Sequence, residues 1–317
     1  MPEFHSGFVG LVGRPNVGKS TLLNRVIGEK VAIVTPKPQT TRDRIMGIYH
    51  FEGGQIVFLD TPGVHRGKSQ LNKALMSEAL QAFGDVDLLL ALFEPPAAEL
   101  GYPRAEDSLY LDDENALTLE HLAKSKCTKF LVINKADILD GETVIGGHRG
   151  RDVLDPFIGL LKEMAEFEEV FAISAETGEG VDCLVDAAKS RLPEGPAYFP
   201  EDMFTNQTDR TFAAEVIREK IFLLTSQEIP YSSAVTIEDF DEEEDPIHIR
   251  ATIHVERTSQ KGILIGKRGQ MIKKIGVEAR KDIESFLDCR IFLKLDVQVS
   301  KDWIHNERIM KRMEFGV

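Results

Sequence analysis

Short apolar runs and stretches with helical spacing of apolar residues alternate over the N-terminal half of the chain. Six runs rich in Val, Ile, Leu and Phe have the length of strands. The predicted strands are Phe8–Val12, Gly47–Phe51, Gln55–Asp60, Asp87–Phe93, Lys129–Asn134 and Val170–Ser174. The predicted helices are Lys19–Ile27, Lys68–Phe83, Asn115–Ser125, Val153–Glu166 and Gly180–Arg191. Because continuous apolar runs are typical of strands buried on both faces, we predict a doubly wound mixed α/β sheet.

The C-terminal part has another order of elements, helix, strand, strand, helix, helix, strand. The first helix is predicted over Phe212–Thr225, and the two strands that follow over Ala234–Phe240 and Ile247–Glu256. Helical stretches flank Gly266–Gly269 on both sides, with a helix over Val277–Leu287, and the last strand is predicted over Ile291–Val299. The acidic run Asp241–Pro246 is predicted to be a solvated hairpin tip. This pattern predicts an α+β domain.

Proline and glycine mark the boundaries between these parts. We predict an α/β domain over residues 1–192, a semi-rigid Pro-rich linker over 193–204 and the α+β domain with a C-terminal helix over 205–317. Glu94–Asp113 and Gly141–Gly150 are rich in Pro, Gly and acidic residues, and both are expected to be surface loops.

The distribution of charge refines this picture. The 317 residues carry a net charge of −14, yet the segment from His248 to Lys294 has 11 basic and 5 acidic residues. A basic segment in an acidic chain favours a polyanionic partner for the C-terminal domain. Cys127, Cys183 and Cys289 are far apart in the sequence, as expected in a reducing compartment, and neither a secretory signal nor a membrane-spanning run is evident.

Residues Gly13–Ser20 read GRPNVGKS between a predicted strand and a predicted helix, which is the pattern of a phosphate-binding loop. Gly13 and Gly18 allow the backbone to curl so that N–H groups face phosphate oxygens. Lys19 is suited to neutralise the β- and γ-phosphates, and the Ser20 hydroxyl is suited to bind magnesium.

Further polar motifs follow other predicted strands, where a doubly wound sheet binds its ligand. DTPG begins at Asp60, which can hold magnesium, and ends at Gly63, whose N–H can contact a γ-phosphate. In NKAD, the Asp137 carboxylate can accept hydrogen bonds from guanine but not from adenine. Asn134 would brace the loop and reach the base edge, Lys135 would cover the base plane, and the Ala175 N–H of the SAE motif would be available for guanine O6. The predicted nucleotide contacts are Asn16, Gly18, Lys19, Ser20, Thr21, Asp60, Gly63, Asn134, Lys135, Asp137, Ser174 and Ala175.

The order GRPNVGKS, TTR, DTPG, NKAD, SAE resembles the TrmE–Era–EngA branch of TRAFAC-class GTPases. An ATP-dependent P-loop kinase or ATPase is the alternative that NKAD disfavours. The resemblance implies that Ile33–Arg44 is a switch loop, in which Thr41, or alternatively Thr40, binds magnesium when the γ-phosphate is present. It assigns Lys19, Thr41 and Gly63 to catalysis, with GTP, GDP and Mg²⁺ as ligands. The expected magnesium ligands are Ser20, Thr41 and Asp60.

One position departs from Ras-like members of that class. Val64 stands where they carry a glutamine that orients the attacking water, so we expect slow intrinsic hydrolysis. His65 is a weak candidate to replace that glutamine. Arg42 and Arg44 are candidates for charge stabilisation, with solvation of the switch loop or contact with a partner as the alternative.

The C-terminal domain contains the motif GxxG at Gly266–Gly269, and the order of its elements is that of a type II KH domain. In KH domains the glycines let a nucleic-acid backbone approach closely. The residues expected to bind RNA are Gly266, Lys267, Arg268, Gly269, Lys273 and Lys274, and Arg280 and Lys281 could widen the basic surface. Ile263, Ile265 and Ile272 could line a groove for bases or could belong to the core, whereas Trp303 is expected to pack inside the domain.

Taken together, a P-loop GTPase followed by a type II KH domain resembles the Era family of bacterial GTPases. The resemblance implies GTP-dependent binding to the 3′ region of small-subunit (16S) rRNA during maturation of the 30S precursor. It also implies a cytoplasmic monomer with peripheral contact at the inner membrane. Two alternatives stay open, namely a GTPase that signals through protein partners with the KH-like domain as an adaptor, and an RNA-binding module that hardly hydrolyses its nucleotide.

Overall fold

The computed structural model describes residues 4–38, 40–42, 44–64, 75–77, 79, 84, 86–95, 111–139, 144–145, 148–305 and 310. These residues form two compact units. The first unit holds the described residues of Met1–Ala32, Asp43–Gly67 and Leu75–Asn206, and the second holds those of Ile33–Arg42 and Gln207–Val317.

The first unit is built on a six-stranded sheet of order β2-β3-β1-β4-β5-β8, in which only the β2–β3 pair is antiparallel. The strands of this sheet are β1 His5–Gly13, β2 Ile45–Phe51, β3 Gly54–Asp60, β4 Leu88–Phe93, β5 Thr128–Ile133 and β8 Glu169–Ala172. Two further strands, β6 Val144–Ile145 and β7 His148–Arg149, lie outside it. All residues of β3 and β4 are buried, as their apolar runs predicted. The predicted mixed sheet is confirmed.

Helices cover both faces of this sheet, which makes the unit doubly wound. They are α1 Lys19–Ile27, α2 Asp113–Lys124, α3 Gly150–Met164 and α4 Val181–Lys189. One core contains Leu22 of α1 and Leu184 of α4, and a second core contains Leu119 of α2 and Leu161 of α3. Within the predicted helix Lys68–Phe83, residues 75–77 and 79 are helical, and the other residues of this range lie outside the described part. Residue 84, directly after it, is a turn.

The predicted loop Gly141–Gly150 contains a short ribbon instead, because β6 and β7 pair antiparallel. Val144 and Ile145 are β-branched, and this favours strand over loop. In the predicted loop Glu94–Asp113, residues 96–110 lie outside the described part.

The Pro-rich segment after α4 follows the sheet of the first unit through hydrogen bonds. The Ser6 N–H donates to Pro193 O at 3.1 Å, and the Ile48 N–H of edge strand β2 donates to Phe204 O at 2.9 Å. Between them, Oε1 of the fully buried Gln55 accepts from the N–H groups of Tyr198 and Phe199 at 2.9 and 3.2 Å. The segment is therefore fixed along its length to β1, β3 and β2, three neighbouring strands of the sheet.

The second unit contains a three-stranded sheet of order β11-β10-β9, with β9 antiparallel and β11 parallel to β10. Its elements are α5 Asp209–Leu224, α6 Ile229–Ser232, β9 Ser233–Asp241, β10 Ile247–Val255, α7 Thr258–Ile265, α8 Gln270–Leu287 and β11 Ile291–Val299. Helix α8 is continuous through the stretch that the sequence divided at Gly276, and the short helix α6 was not predicted. Glu242–Asp245 form an exposed hairpin tip, as expected.

Trp303 packs inside the second unit, as predicted. Its side chain is fully buried, and its Nε1–H donates to the carbonyl of Ser232 at 3.0 Å. Among the residues that the structure describes, no helix combines the length and the apolar character needed to cross a bilayer.

The Gln55 contacts generate a prediction about stability. Gln55→Met keeps the volume of the side chain but removes the acceptor for the Tyr198 and Phe199 N–H groups. We expect the free energy of unfolding in urea to fall by about 1–3 kcal/mol, the usual range when buried polar partners are lost. As a control, Gln298→Met on the exposed side of β11 should change stability by less than about 0.5 kcal/mol. Equal stabilities of the two variants would show that the segment is not held by Gln55.

Candidate functional site

The phosphate-loop motif forms a tight turn between β1 and α1. Gly13 has φ 154° and Gly18 has φ 101°, conformations that favour glycine, and the exposed Asn16 between them has φ 62°. A Cβ atom on Gly13 would lie 2.5 Å from the Leu92 carbonyl oxygen. Gly18 is the N-cap of α1, so the positive end of the helix begins within the loop.

Lys19 lies beneath this turn, with 6% of its surface exposed. Its Nζ donates to the carbonyls of Gly13 at 3.2 Å and Arg14 at 3.0 Å. Burial lowers the pKa of Lys19 to about 8, although the charges of Asp60 and Glu114 partly oppose this shift. An anion in the loop would stabilise the charged lysine and raise this pKa.

The expected magnesium ligands of the first unit lie together. The Ser20 hydroxyl of α1 donates to Oδ2 of Asp60, at the end of β3, at 2.5 Å. No group of three or more His, Cys, Asp or Glu side chains that could hold a metal occurs in the described part of the chain. A hydroxyl and a carboxylate fit Mg²⁺, which usually combines one or two carboxylates with water and phosphate oxygens.

Asn134 joins three of the predicted motifs. Its Nδ2 donates to the Val17 carbonyl of the phosphate loop at 2.8 Å, and its Oδ1 accepts from the Ala175 N–H of the SAE motif at 2.9 Å. The expected bracing of the loop is therefore present. However, the Ala175 N–H, which we expected to be available for guanine O6, donates to Asn134, because the amide lies between the two loops.

Beside Asn134, the other NKAD residues are differently placed. Asp137 is exposed at the start of a 3₁₀ turn, Ala136–Leu139. Lys135 has φ 62° and pairs with Glu94, and its pKa is lowered by burial and by the nearby Arg14. Ser174 is fully buried, and its hydroxyl accepts from the Thr177 N–H at 3.1 Å, which closes the SAE turn.

Glu94 and Arg25 are two charged residues near these loops that the sequence analysis did not assign to the site. Glu94 directly follows β4 and pairs with both Arg14 of the phosphate loop and Lys135 of NKAD. Arg25 of α1 donates to the backbone carbonyls of Ala175 and Glu176. The position of Glu94 at the carboxyl end of a strand was a signal that could have found it.

The DTPG motif brings Gly63 against the phosphate loop. A Cβ atom on Gly63 would lie 2.5 Å from the Pro15 nitrogen, and the Val64 N–H donates to Gly13 O at 3.1 Å. The Val64 side chain is fully buried in an apolar cluster with Ala79 and Leu117. It therefore cannot orient water. His65, the weak candidate for that role, lies outside the described residues.

The predicted switch threonines belong to the second unit by their contacts. Thr40 and Thr41 are 8% and 7% exposed. The Thr40 hydroxyl donates to Lys37 O at 2.8 Å and lies 2.7 Å from the Thr35 hydroxyl, within a turn of the segment itself. Thr21, a predicted nucleotide contact of the first unit, is half-buried on α1.

The burial of Arg42 contradicts one of its sequence interpretations, solvation of the switch loop. Only 3% of its surface is exposed, so it is not solvated. Its guanidinium donates to the carbonyls of Ser233, Pro230 and Tyr231 at 2.7, 3.2 and 3.1 Å, and it lies 5.8 Å from the centre of a Trp303 ring. The contacts thus fasten the switch segment inside the second unit. Arg44 is exposed.

The GxxG motif connects α7 and α8 by a turn with unusual backbone angles. Gly266 and Gly269 have φ 71° and 77°, and Arg268 has φ 52°. A Cβ atom on Gly269 would meet no atom within 4 Å, so a ligand can approach this glycine. The basic residues Lys267, Arg268, Lys273 and Lys274 are all exposed.

The residues around GxxG divide between core and surface. Ile263 is 51% exposed, whereas its neighbour Leu264 is fully buried, so Ile263 is not a core residue. Ile265 and Ile272 are half-buried. Arg280 pairs with Glu284 at 2.9 Å, which offsets its contribution to a basic surface, and Lys281 lies 3.8 Å from Glu278.

Two family models match the chain. The model described as "50S ribosome-binding GTPase" matches residues 8–135, and the model described as "KH domain" matches residues 228–304. Among curated proteins, the GTPase Era of Syntrophus aciditrophicus (strain SB) is 47% identical over 315 residues, which cover 99% of this chain and 95% of that protein.

Solved structures extend the similarity to the whole chain. A tyrosine-to-alanine variant of Aquifex aeolicus Era bound to GDP·AlF4⁻ has a TM-score of 0.87 at 34% identity. Era in complex with MgGDPNP and nucleotides 1506–1542 of 16S ribosomal RNA has a TM-score of 0.83 at 34% identity. In both comparisons 99% of this chain and 100% of the other are covered.

The fold and the site define a P-loop GTPase domain combined with a KH domain. The level of identity over almost the entire length then shows the family: the chain belongs to the Era family of GTPases.

The low pKa of Lys19 predicts proton uptake when nucleotide binds. Burial lowers this pKa from 10.5 in the unfolded chain to about 8 in the folded protein. Between pH 8 and 10.5 the unfolded chain therefore binds more protons than the folded protein. The free energy of unfolding of the ligand-free protein should then rise as pH increases through this window. Phosphate oxygens should restore the charged form. At pH 8.5, calorimetric titration with GDP and Mg²⁺ in two buffers of different ionisation enthalpy should show uptake of roughly 0.5–0.8 proton.

Lys19→Arg is the matched control, because a guanidinium stays charged at this pH. Proton uptake on binding of GDP should disappear in this variant. If its affinity for GDP is lower, the titration is done at higher protein concentration. Equal proton uptake by the variant and the parent would contradict the assignment to Lys19.

Proposed function

We propose that this chain is a GTP-hydrolysing switch that binds the 3′ region of small-subunit rRNA through its KH domain when GTP is bound. One observation carries the proposal: an exposed Lys267–Arg268 pair stands on the GxxG turn of a chain whose other unit unites the phosphate loop, NKAD and SAE. The related Era complex with MgGDPNP and 16S rRNA nucleotides supports it.

In this proposal the loops at the sheet edge divide the nucleotide between them. The phosphate contacts are Asn16, Gly18, Lys19, Ser20, Thr21 and Gly63. The base contacts are Asn134, Lys135, Asp137, Ser174 and Ala175. Because Ala175 N–H is bonded to Asn134, recognition of guanine rests chiefly on the exposed Asp137 carboxylate, which can accept from N1–H and the 2-amino group.

Ser20, Asp60 and Thr41 would hold Mg²⁺, which neutralises phosphate charge when bound. Of the two threonines we favour Thr41, which stands next to Arg42 in the TTR motif. Lys19, Gly63 and Thr41 would stabilise the γ-phosphate during hydrolysis. The buried Val64 supports a slow intrinsic rate, since its side chain cannot orient water.

At the RNA site, Gly266 and Gly269 would let the RNA backbone approach, while Lys267 and Arg268 face its phosphates. Lys273 and Lys274 would extend the contact along α8. The exposed Ile263 supports a groove for unstacked bases beside the turn. A role in assembly of the 30S subunit, a monomeric state, and a cytoplasmic location with peripheral contact at the inner membrane remain predictions from family membership.

Asp137→Asn tests the guanine assignment. The amide presents donors to the N1–H and 2-amino donors of guanine, so GTP affinity should fall about 100-fold or more, and preference should shift toward xanthosine triphosphate. Fluorescence titration with both nucleotides measures the change. Glu163→Gln, an exposed carboxylate-to-amide change on α3, should leave both affinities unaltered. Retained GTP preference in the Asp137 variant would exclude this carboxylate as the base contact.

Lys267→Glu combined with Arg268→Glu tests the RNA assignment. Repulsion from phosphates should weaken binding of RNA with nucleotides 1506–1542 of 16S rRNA by at least about tenfold at fixed salt, with GTP affinity intact. The control is Arg250→Glu with Lys294→Glu, which changes net charge equally at exposed positions of β10 and β11. If both double variants bind RNA as the parent does, the adaptor alternative with protein partners gains the support.

A further inference from the structure

Helix α5 contains three consecutive charged residues that are all buried. Arg218, Glu219 and Lys220 are 2%, 3% and 9% exposed. Charged groups lose hydration on burial, and replacement of buried ion pairs by apolar residues is often neutral or stabilising. The presence of these charges therefore requires a reason other than the stability of the helix.

The contacts of Glu219 and Lys220 form a continuous chain. The backbone N–H of Val34 donates to Glu219 Oε1 at 3.2 Å. Lys220 Nζ donates to Glu219 Oε2 at 2.8 Å and to Asp282 Oδ2 at 2.6 Å. We call these three side chains, Glu219, Lys220 and Asp282, the ionic chain. It connects the switch segment Ile33–Arg42 to helix α8, and all of its members lie in the second unit.

The ionic chain connects two elements to which we assign a function: at one end Glu219 contacts Val34, and at the other end is Asp282. Val34 is in the segment that carries Thr41, and Asp282 is on α8, which starts immediately after Gly269 of the GxxG turn. An α-helix transmits displacement as a rigid rod, and the 13 residues from Gly269 to Asp282 span about 20 Å. A shift at Asp282 can thus reach the residues that face RNA.

The switch segment has two further anchors in the second unit. Lys37 Nζ donates to the carbonyls of Phe222 and Thr225 at the C-terminal end of α5. Arg42 donates to the carbonyls of Ser233, Pro230 and Tyr231. Lys37 thus anchors the middle of the segment and Arg42 its end, while the Val34 contact leads to the ionic chain.

Lys220 needs both of its carboxylate partners. Burial alone would lower the pKa of Lys220, but hydrogen bonds to Asp282 and Glu219 raise it above the usual value, so the charge is kept. Loss of the Val34 contact would leave one Glu219 oxygen without that donor and would change the balance between the two carboxylates. Because Glu219 and Lys220 are buried, rearrangement of their hydrogen bonds is costly, which favours discrete over gradual responses.

We propose that Glu219, Lys220 and Asp282 are positioning residues that couple the docking of the switch segment to the placement of helix α8. The inference rests on the function proposed above. GTP and Mg²⁺ order the segment, so that less entropy is lost when it docks on Glu219, and the ionic chain then places α8 for RNA. Because such coupling is reciprocal, RNA bound at the GxxG turn favours the docked segment and raises the affinity for GTP by the same factor.

The test compares RNA affinity in two nucleotide states. Fluorescence anisotropy with RNA of nucleotides 1506–1542 of 16S rRNA gives the ratio of affinities with GDPNP and with GDP. Asp282→Asn and Glu219→Gln keep the size of each side chain but weaken the ionic chain. Each should reduce the ratio by about fivefold or more, the lower bound of typical coupling, while affinity with GDP stays within about twofold of the parent.

The matched control is Glu215→Gln, which disturbs a different ion pair of α5, between the half-buried Glu215 and the buried Arg218. This pair has no contact with Val34 or Asp282 among its hydrogen bonds, so the ratio should keep its parental value. Parental ratios in folded Asp282→Asn and Glu219→Gln would overturn the coupling alone. Equal RNA affinity with GDPNP and GDP in the parent would overturn the nucleotide dependence on which the inference rests, and the coupling with it.

Hydrogen exchange on the unmodified protein provides a measurement that does not depend on the folding of a variant. When GDPNP replaces GDP without RNA, amides of the segment Ile33–Arg42 and of α8 should gain protection together. Protection of the segment with unchanged exchange in α8 would overturn the coupling.

Discussion

The side-chain amide of Asn134 is the contact on which the loops of the first unit depend. Each loop follows a different strand, and backbone pairing within the sheet does not determine how loops at its edge meet. One amide, 2% exposed, bonds Val17 O on one side and Ala175 N–H on the other. The same contact explains Gly18, since a Cβ there would lie 2.1 Å from Asn134 Nδ2. The phosphate loop and the base loop are thereby held together by the hydrogen bonds of one buried side chain.

Buried charge is the second constraint, and it recurs in both units. Two loop carbonyls accept hydrogen bonds from Lys19, whose pKa is lowered by burial, and a bound phosphate would favour its charged form. Lys220 is kept charged by two carboxylates. In both places desolvation opposes the charge, so each ammonium depends on named partners. Such groups respond strongly when a partner arrives or leaves, and this property suits a switch.

Prediction succeeded where structure depends on local pattern. The apolar runs of β3 and β4 are buried, and α1 has the predicted bounds. Local pattern does not show partners that lie far apart in the sequence. Solvation was one interpretation of Arg42, and it is wrong, because the residue is buried and its partner Ser233 is 191 residues away. The Ala175 N–H, which we assigned to guanine O6, donates in this structure to Asn134, 41 positions earlier.

By itself, the sequence determined the class of fold, the order of the two domains and the chemistry of the motifs. This was decidable because periodicity and residue type act over a few neighbouring positions. Only the tertiary structure decided that Gln55 fastens the Pro-rich segment, that Glu94 pairs with two loops, and that the switch segment packs with the second unit through the ionic chain. A hydrogen bond requires two groups within about 3 Å, and which distant groups come that close is set by the folded chain as a whole.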